Sequence, residues 1–311
     1  LRGSMGSMRY AYVMFARNKA PWVGETVRSV LAQTYRPLDI YFSDQGSTHG
    51  TLTAIKDAVN GYNGPNKVTI MECPKTERRG RAGLIEHINW LHERIDADYW
   101  ITTAADDVDQ PQRARRTIET IEGLPRVPLF FGTAQYFENK DRQYQGVTAK
   151  PQESKWIDPI ECIRDLVGGS SSGAWSPKLL ADFGPMPDTA LVDIYMPFCA
   201  ALMDGFYFLQ EHLHSYVYRP DPENTGLQGR AENAKSRSER ERIREMLQCE
   251  LVGNLILMTR VTQGLHQHRP AGRLEDILGF LYATLLTQTS GWSDARQDLI
   301  RQGIRPGRMP Y

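Results

Sequence analysis

The sequence predicts an α/β fold: a mostly parallel central sheet with helices on both faces. Two observations predict it. Short apolar runs with strand character alternate with amphipathic helical segments, and the connections between them are short. A third observation places a site on that sheet. Polar clusters follow three of the first four strand-like runs, "ARN", "SDQGST" and "AADDVD", and open sheets of this kind bind ligands at the carboxyl ends of their strands.

The elements follow in order. "MRYAYVMFARN" (8–18) is a β-rich run ending in a polar turn. "WVGETVRSVLAQTY" (22–35) carries Val23, Val27, Val30 and Leu31 at helical spacing. "LDIYFSDQGSTHGT" (38–51) is a strand entering a Gly/Ser/Thr turn, and "TLTAIKDAVNGY" is a helix ending near Gly61. A third strand (67–73), a helix (83–96) and a fourth strand (98–107) continue the alternation. The second half is less regular. Residues 128–138 read as a hairpin strand and 167–184 as a Gly/Ser-rich loop entering a helix. An apolar helix spans 189–205, and 206–219 is strand-like. From about residue 230 the chain reads as helical, with no internal repeat and no low-complexity segment.

Composition narrows the class. The 311 residues are 41% hydrophobic and 24% charged with zero formal net charge, ordinary for a globular protein. A neutral chain argues against a partner held mainly through phosphate backbone, because such domains are usually basic. Cys73, Cys162, Cys199 and Cys249 are scattered without CxxC spacing. They predict reduced thiols in a cytoplasmic protein rather than a disulfide frame or zinc site. No apolar run reaches the roughly 18–20 residues of a membrane span. The opening "LRGSMGS" (1–7) reads as an expression-tag remnant, so the native chain is expected to start near Met8.

The densest chemical signal is "TTAADDVDQP" (102–111), with Asp106, Asp107 and Asp109 directly after an apolar run. Adjacent carboxylates repel and resist burial. Either the stretch is a solvated turn or a cation sits there. A divalent ion bridging phosphates takes hard oxygen ligands, usually one or two carboxylates plus water. "KTERRGRAG" (75–83) adds a basic loop in which Lys75, Arg78, Arg79 and Arg81 could neutralise a diphosphate.

Taken in order, these pieces resemble the inverting family 2 glycosyltransferases, which have the Rossmann-like GT-A fold. The matching stretches are "FARNK" (15–19), "SVLAQTY" (29–35), "SDQGSTHGT" (43–51), "AADDVDQP" (104–111), "LVDIYMPF" (191–198) and "YRPDPENTG" (218–226). The resemblance covers roughly residues 9–226. It implies a tag remnant (1–7), a catalytic domain (8–226) and a helical C-terminal region (227–311). Within the catalytic domain, 8–111 would be the nucleotide-sugar half and 112–226 the acceptor half.

The resemblance also implies roles. Asp107 is expected to ligate Mn²⁺ or Mg²⁺, with Asp106 toward ribose or metal, although "DVD" (107–109) is itself a D-x-D. Asp44 and Gln45 stand where a pair of acids would face base and ribose. Gln45 is an amide, which both donates and accepts, and Asp44 could instead cap its own turn. Phe15, Ala16 and Arg17 would wall the base, and Arg78 and Arg81 would meet the donor. Asp193 matches the catalytic base that deprotonates an acceptor hydroxyl, with Asp188 as fallback. Asp221 replaces a family His and is a candidate metal ligand with oxygen chemistry.

His212 and His214, read as sharing one strand face, are assigned to packing or acceptor contacts, and "GGSSSG" (168–173) to the acceptor or to a plain loop. The expected reaction is metal-dependent transfer, with inversion, from a nucleotide-sugar, UDP favoured, to a hydroxyl acceptor. The default acceptor is a saccharide; a hydroxylated base in DNA is the alternative. A nucleotidyltransferase would normally show Gly after the first strand, and "FARNKAP" has none. An inactive nucleotide- or sugar-binding module is the non-enzyme alternative. In the C-terminal region, mixed charges at 230–244 predict a solvated helix. The stripe Ile243, Leu247, Leu251, Leu255 and Met258 predicts core packing or a homodimer seam.

Overall fold

A computed structural model describes residues 8–78, 80–139, 141–147, 151–165, 167–169, 172–188, 190–219, 236–268 and 272–289. The first half alternates as expected. Its elements are β1 (Tyr10–Ala16), α1 (Val23–Leu31), β2 (Asp39–Gln45), α2 (Thr51–Val59), β3 (Lys67–Cys73), α3 (Gly80–His92) and β4 (Tyr99–Ala104). Then come β5 (Val108–Asp109), α4 (Arg113–Gly123), β6 (Phe130–Glu138), β7 (Tyr144–Val147) and β8 (Lys155–Trp156). The rest are α5 (Pro159–Arg164), β9 (Ala174–Trp175), α6 (Lys178–Phe183), α7 (Val192–Leu202), β10 (Phe206–Val217), α8 (Arg237–His268) and α9 (Gly272–Thr289).

One ten-stranded sheet runs in the order β3-β2-β1-β4-β9-β6-β10-β5, with β7 on β6 and β8 on β10. It is mixed in pairing. β1, β2, β3 and β4 pair in parallel, as do β6 and β10, while the two-residue β9 is antiparallel to both β4 and β6. The six longer strands therefore all point the same way, and their carboxyl ends share one edge. The antiparallel pairings belong to the short strands β5, β7, β8 and β9.

Period-two alternation along β1 divides the core. Tyr10, Tyr12 and Met14 face α1, α2 and α4, whereas Ala11 and Val13 face α3 and α5 to α9. The C-terminal helices belong to the second core. Leu255 and Met258 of α8 and Ile277, Leu281 and Leu285 of α9 are buried in it. Most of the expected apolar stripe thus packs inside this chain; nothing is described for the side chains of Ile243 and Leu247. Cys73, Cys162 and Cys199 are free and buried. Burial pushes the Cys73 thiol up to about 11. No helix among the described residues is long and apolar enough to cross a membrane.

Candidate active site

The S-V-L-x-Q-T-Y segment explains how the acidic turn is held. Thr26 Oγ1, on the same helix, donates to the Asp107 carbonyl at 2.7 Å, and Ser29 Oγ accepts from the Asp109 amide at 3.2 Å. Gln33 grips both sides of Pro111. Its Nε2 donates to the Gln110 carbonyl at 2.9 Å, and its Oε1 accepts from the Ala114 amide at 2.8 Å. The Thr34 amide donates to the Pro111 carbonyl at 2.8 Å. These residues clamp the carboxylate-bearing turn.

Asp106 and Asp107 then diverge. Asp107 is only 2% exposed. Its Oδ1 accepts from the Val217 amide at 3.1 Å, and its Oδ2 lies 3.1 Å from His214 Nε2. Asp106 stays partly open and forms an ion pair, 2.7 Å, with Lys19 at the end of β1. Burial, then the neighbouring Asp107 charge, raises the Asp106 carboxyl, and Lys19 pulls it back down. The expectation that Asp107 faces the metal therefore meets an obstacle: both its oxygens are engaged inside the fold. Asp106 is the member of the pair at the strand edge.

Beneath this turn lies a buried network that spacing did not reveal. His214 Nδ1 is 2.8 Å from Asp109 Oδ1, so each ring nitrogen faces a carboxylate. Burial opposes protonation of His214, but Asp107 and Asp109 outweigh it and raise its pKa; Arg113 Nη1 also lies 3.3 Å from Nδ1. Arg113, fully buried on α4, also pairs with Asp109 and donates to the Thr102 and Gly173 carbonyls at 2.7 and 3.1 Å. Burial pulls Asp109 upward, yet Arg113, His214 and Tyr12 prevail and hold it below the usual carboxylate range. The two histidines do not share a face. Register shifts in β10 on either side of His212 break the alternation. His212 stacks on Tyr136 at 4.8 Å instead.

The residues expected to bind the donor come together at the ends of β1 and β2. Asp44 accepts from the amide of Ser47 at 3.0 Å and from its hydroxyl, the turn-capping alternative. The Ser47 hydroxyl also accepts from the Asn18 amide at 2.8 Å, and Asn18 Oδ1 from the Thr48 amide at 3.0 Å. Gly46, at φ +56°, lets this turn approach the backbone of Lys75: a Cβ there would sit 2.6 Å from Lys75 Cα.

Gln45 is buried and donates to the Gly83 carbonyl at 2.6 Å, fixing the start of α3. Arg17 donates to the carbonyls of Arg78 (2.5 Å) and Thr76 (3.3 Å), anchoring the basic loop. Phe15 is half-buried, edge-on to His87 at 5.7 Å, and Ala16 is buried. Arg78 pairs with Asp188, which ties the basic loop to the second half and engages the fallback base. Arg79 and Asp221 lie outside the described residues, and nothing is described for the Arg81 side chain.

Asp193 is exposed in the first turn of α7, where the helix dipole favours an acid. Two contacts set it there. The Leu191 amide, at the N-cap, donates to buried Asn254 of α8 at 2.6 Å. Gly168 packs so closely that a Cβ would lie 1.9 Å from the Asp193 carbonyl oxygen. The loop bearing Gly168 ends at Gly173, whose carbonyl accepts from Arg113 and from Thr102 Oγ1 at 3.0 Å. The Gly/Ser loop is thus pinned at both described ends; Ser170 and Ser171 lie outside the described residues.

Lys19, Gln33, Arg113, Asn254 and Arg219 were not read as site residues, and His214 was read only as serving packing or acceptor contacts. Arg219, beside Asp221 in "YRPDPENTG", donates to Glu25 at 2.6 Å and to the Asp106 carbonyl at 3.4 Å. Lys19 stood in the quoted "FARNK", so its position was visible though its partner was not.

A sheet with parallel major strands and a cation–carboxylate pair at its carboxyl edge has the layout of a GT-A-like glycosyltransferase. Residues 12–165 match the family model for glycosyl transferase family 2, and the chain belongs to that family. Solved structures agree on the fold. Residues 1–349 of TarS from S. aureus, in complex with UDP-GlcNAc, superpose at a TM-score of 0.62 with 13% identity, covering 96% of this chain and 77% of that one. A mannosyltransferase from Pyrobaculum calidifontis, in complex with GDP-Man and Mn²⁺, gives 0.54 with 16% identity, covering 96% and 80%.

Proposed function

We propose that this glycosyltransferase moves a sugar from a nucleotide-diphosphate donor, UDP-sugar favoured, to a hydroxyl of a saccharide acceptor, with inversion and with a divalent ion. The observation that carries this reading is the Lys19–Asp106 pair at the shared edge of β1 and β4, 2.7 Å apart. It puts both charge types that a metal–diphosphate needs at the strand ends where such sheets bind nucleotides. The UDP-GlcNAc and GDP-Man named with the two similar structures support the donor class.

Among the described residues no group of three His, Cys, Asp or Glu side chains could hold a metal by itself. A diphosphate-bridging Mg²⁺ does not need one, because it takes one or two carboxylates and completes its shell with phosphate oxygens and water. Asp106 fits that role, and it replaces Asp107 as the proposed ligand. The bound ion would neutralise charge on the departing diphosphate. Asp193 takes the proton of the attacking acceptor hydroxyl, a contribution of about 10²–10⁴ in rate. Arg17 and Arg78 shape the donor pocket by holding the loop over it.

The test is donor hydrolysis across UDP-, GDP- and dTDP-sugars, with Mn²⁺ or with EDTA. The expected result is Mn²⁺-dependent release from one donor. Release should be lost in Asp106→Asn and retained in part by any Asp107→Asn that folds. Release in EDTA equal to that in Mn²⁺ overturns the metal assignment, and no release from any donor overturns the transferase reading.

A further inference from the structure

Lys19 joins a fixed backbone to a long side chain whose ammonium lies 5.4 Å from the centroid of the Trp22 ring. Its amide donates to Thr51 Oγ1 at 2.8 Å, and its carbonyl accepts from the Trp22 and Val23 amides at 3.0 and 2.9 Å, opening α1. The backbone is therefore pinned between β1 and two helices. The side chain is a flexible four-carbon stem ending in a compact ammonium with three rotatable donors. It lies 2.7 Å from Asp106, with both side chains 17% exposed. That carboxylate is the one oxygen donor of the acidic pair left at the edge, since Asp107 is occupied by His214 and the Val217 amide. A divalent ion and Lys19 therefore compete for the same oxygen, and a diphosphate and Asp106 compete for the same ammonium.

We propose that Lys19 is an exchangeable cation of the donor site. It neutralises Asp106 while the site is empty, and it passes to a diphosphate oxygen when a divalent ion takes Asp106. The proposal rests on the donor-site reading above and deepens it. Each partner then releases the group that the other needs. Metal and nucleotide bind with positive coupling, which by linkage is the same in both directions. With both ligands bound the exchange leaves Asp106 paired with the divalent ion, so no uncompensated carboxylate stands beside Asp107 in the loaded site.

The test measures binding without turnover. UDP and GDP are titrated calorimetrically in EDTA, and Mn²⁺ alone by electron paramagnetic resonance, for wild type, Lys19→Met and Asp106→Asn. Thermal midpoints confirm that each variant folds. In Lys19→Met, metal-free nucleotide affinity is expected to fall by about fivefold or more and Mn²⁺ affinity to rise by a similar factor, the lower range of measured couplings. Asp106→Asn should move both the other way, with nucleotide binding tighter than wild type because Lys19 is released, and Mn²⁺ binding lost.

A static structural pair predicts weaker nucleotide binding in both variants, and that outcome overturns the proposal. So does a Lys19→Met protein whose metal-free nucleotide and Mn²⁺ affinities match wild type; the donor reading would survive both results. If wild type binds neither nucleotide, with or without Mn²⁺, the donor reading and the proposal fall together.

Discussion

His214 stands between two carboxylates, with Nε2 3.1 Å from Asp107 Oδ2 and Nδ1 2.8 Å from Asp109 Oδ1. The ring joins β10 to the turn that presents Asp106. All three side chains are almost completely buried, and the two carboxylates, outweighing burial, raise the His214 pKa, which favours a charged ring beside Arg113.

Replacing His214 with Leu leaves two buried carboxylates facing one guanidinium. Removing one partner of a buried ion pair typically costs about 3–5 kcal/mol. His214→Leu should lose stability on that scale in urea denaturation, and a loss below about 1 kcal/mol would show that the ring is not charged. The pH dependence has a definite sign. Because the folded pKa is raised, this contribution is complete below the unfolded value of about 6.5 and fades as pH rises through the folded value. Wild type minus His214→Leu should shrink on the alkaline side.

His87 runs the other way. It is 1% exposed and shares a 2.7 Å hydrogen bond with Ser43 of β2. Burial, with a smaller contribution from Arg17, lowers its pKa to about 3. The folded protein therefore keeps the ring neutral while the unfolded chain takes up a proton below about pH 6.5. Stability should fall as pH drops from there toward about 3, by about 1.4 kcal/mol per pH unit from this group alone. Denaturation curves for wild type and His87→Gln between those limits provide the check, and parallel pH profiles would exclude a neutral buried His87.

Gln33 tests the clamp on the acidic turn. Its amide satisfies the Gln110 carbonyl and the Ala114 amide, and the side chain is fully buried. Gln33→Met keeps the volume and removes both bonds. An unsatisfied buried group costs about 1–3 kcal/mol, so destabilisation in that range is expected. Looser placement of Asp106 should also weaken Mn²⁺ binding. Full stability together with unchanged Mn²⁺ affinity would make the S-V-L-x-Q-T-Y segment incidental to the site.

The legible part of this molecule was the part governed by local pattern. β1 to β4 and their helices follow from apolar spacing, and the polar clusters fall at the carboxyl ends of β1, β2 and β4. What escaped depends on long-range geometry. Nothing in "ADDVD" says which carboxylate turns outward; His214 and Val217, more than a hundred residues later, decide it by engaging Asp107. The separation of His212 from His214 comes from register shifts in β10 that have no Gly or Pro to announce them. Nothing in "RARR" (113–116) marks Arg113 as a buried cation, and only the fold reveals a buried Asp109 to receive it. Asp44 and Gln45 were placed correctly at a strand end, but their side chains are spent on Ser47 and Gly83.

Gly168 offers a way to perturb the second half alone. Any side chain there meets the Asp193 carbonyl oxygen at 1.9 Å, a backbone atom that cannot rotate aside. Either the Gly/Ser loop or the first turn of α7 has to move. Overpacking of this kind costs about 1–3 kcal/mol, and the displaced element carries the proposed base. A displacement near 1 Å at a reacting group can reduce turnover by about 10².

Gly168→Ala should therefore bind UDP or GDP as wild type does, while transfer to acceptor falls steeply. Gly46→Ala, strained at φ +56° and pressed on Lys75, should weaken nucleotide binding first. Calorimetric nucleotide binding set beside transfer rates separates the two. If Gly168→Ala weakens nucleotide binding as much as Gly46→Ala does, the loop does not belong to the acceptor side, and Asp193 loses its strongest structural tie to catalysis.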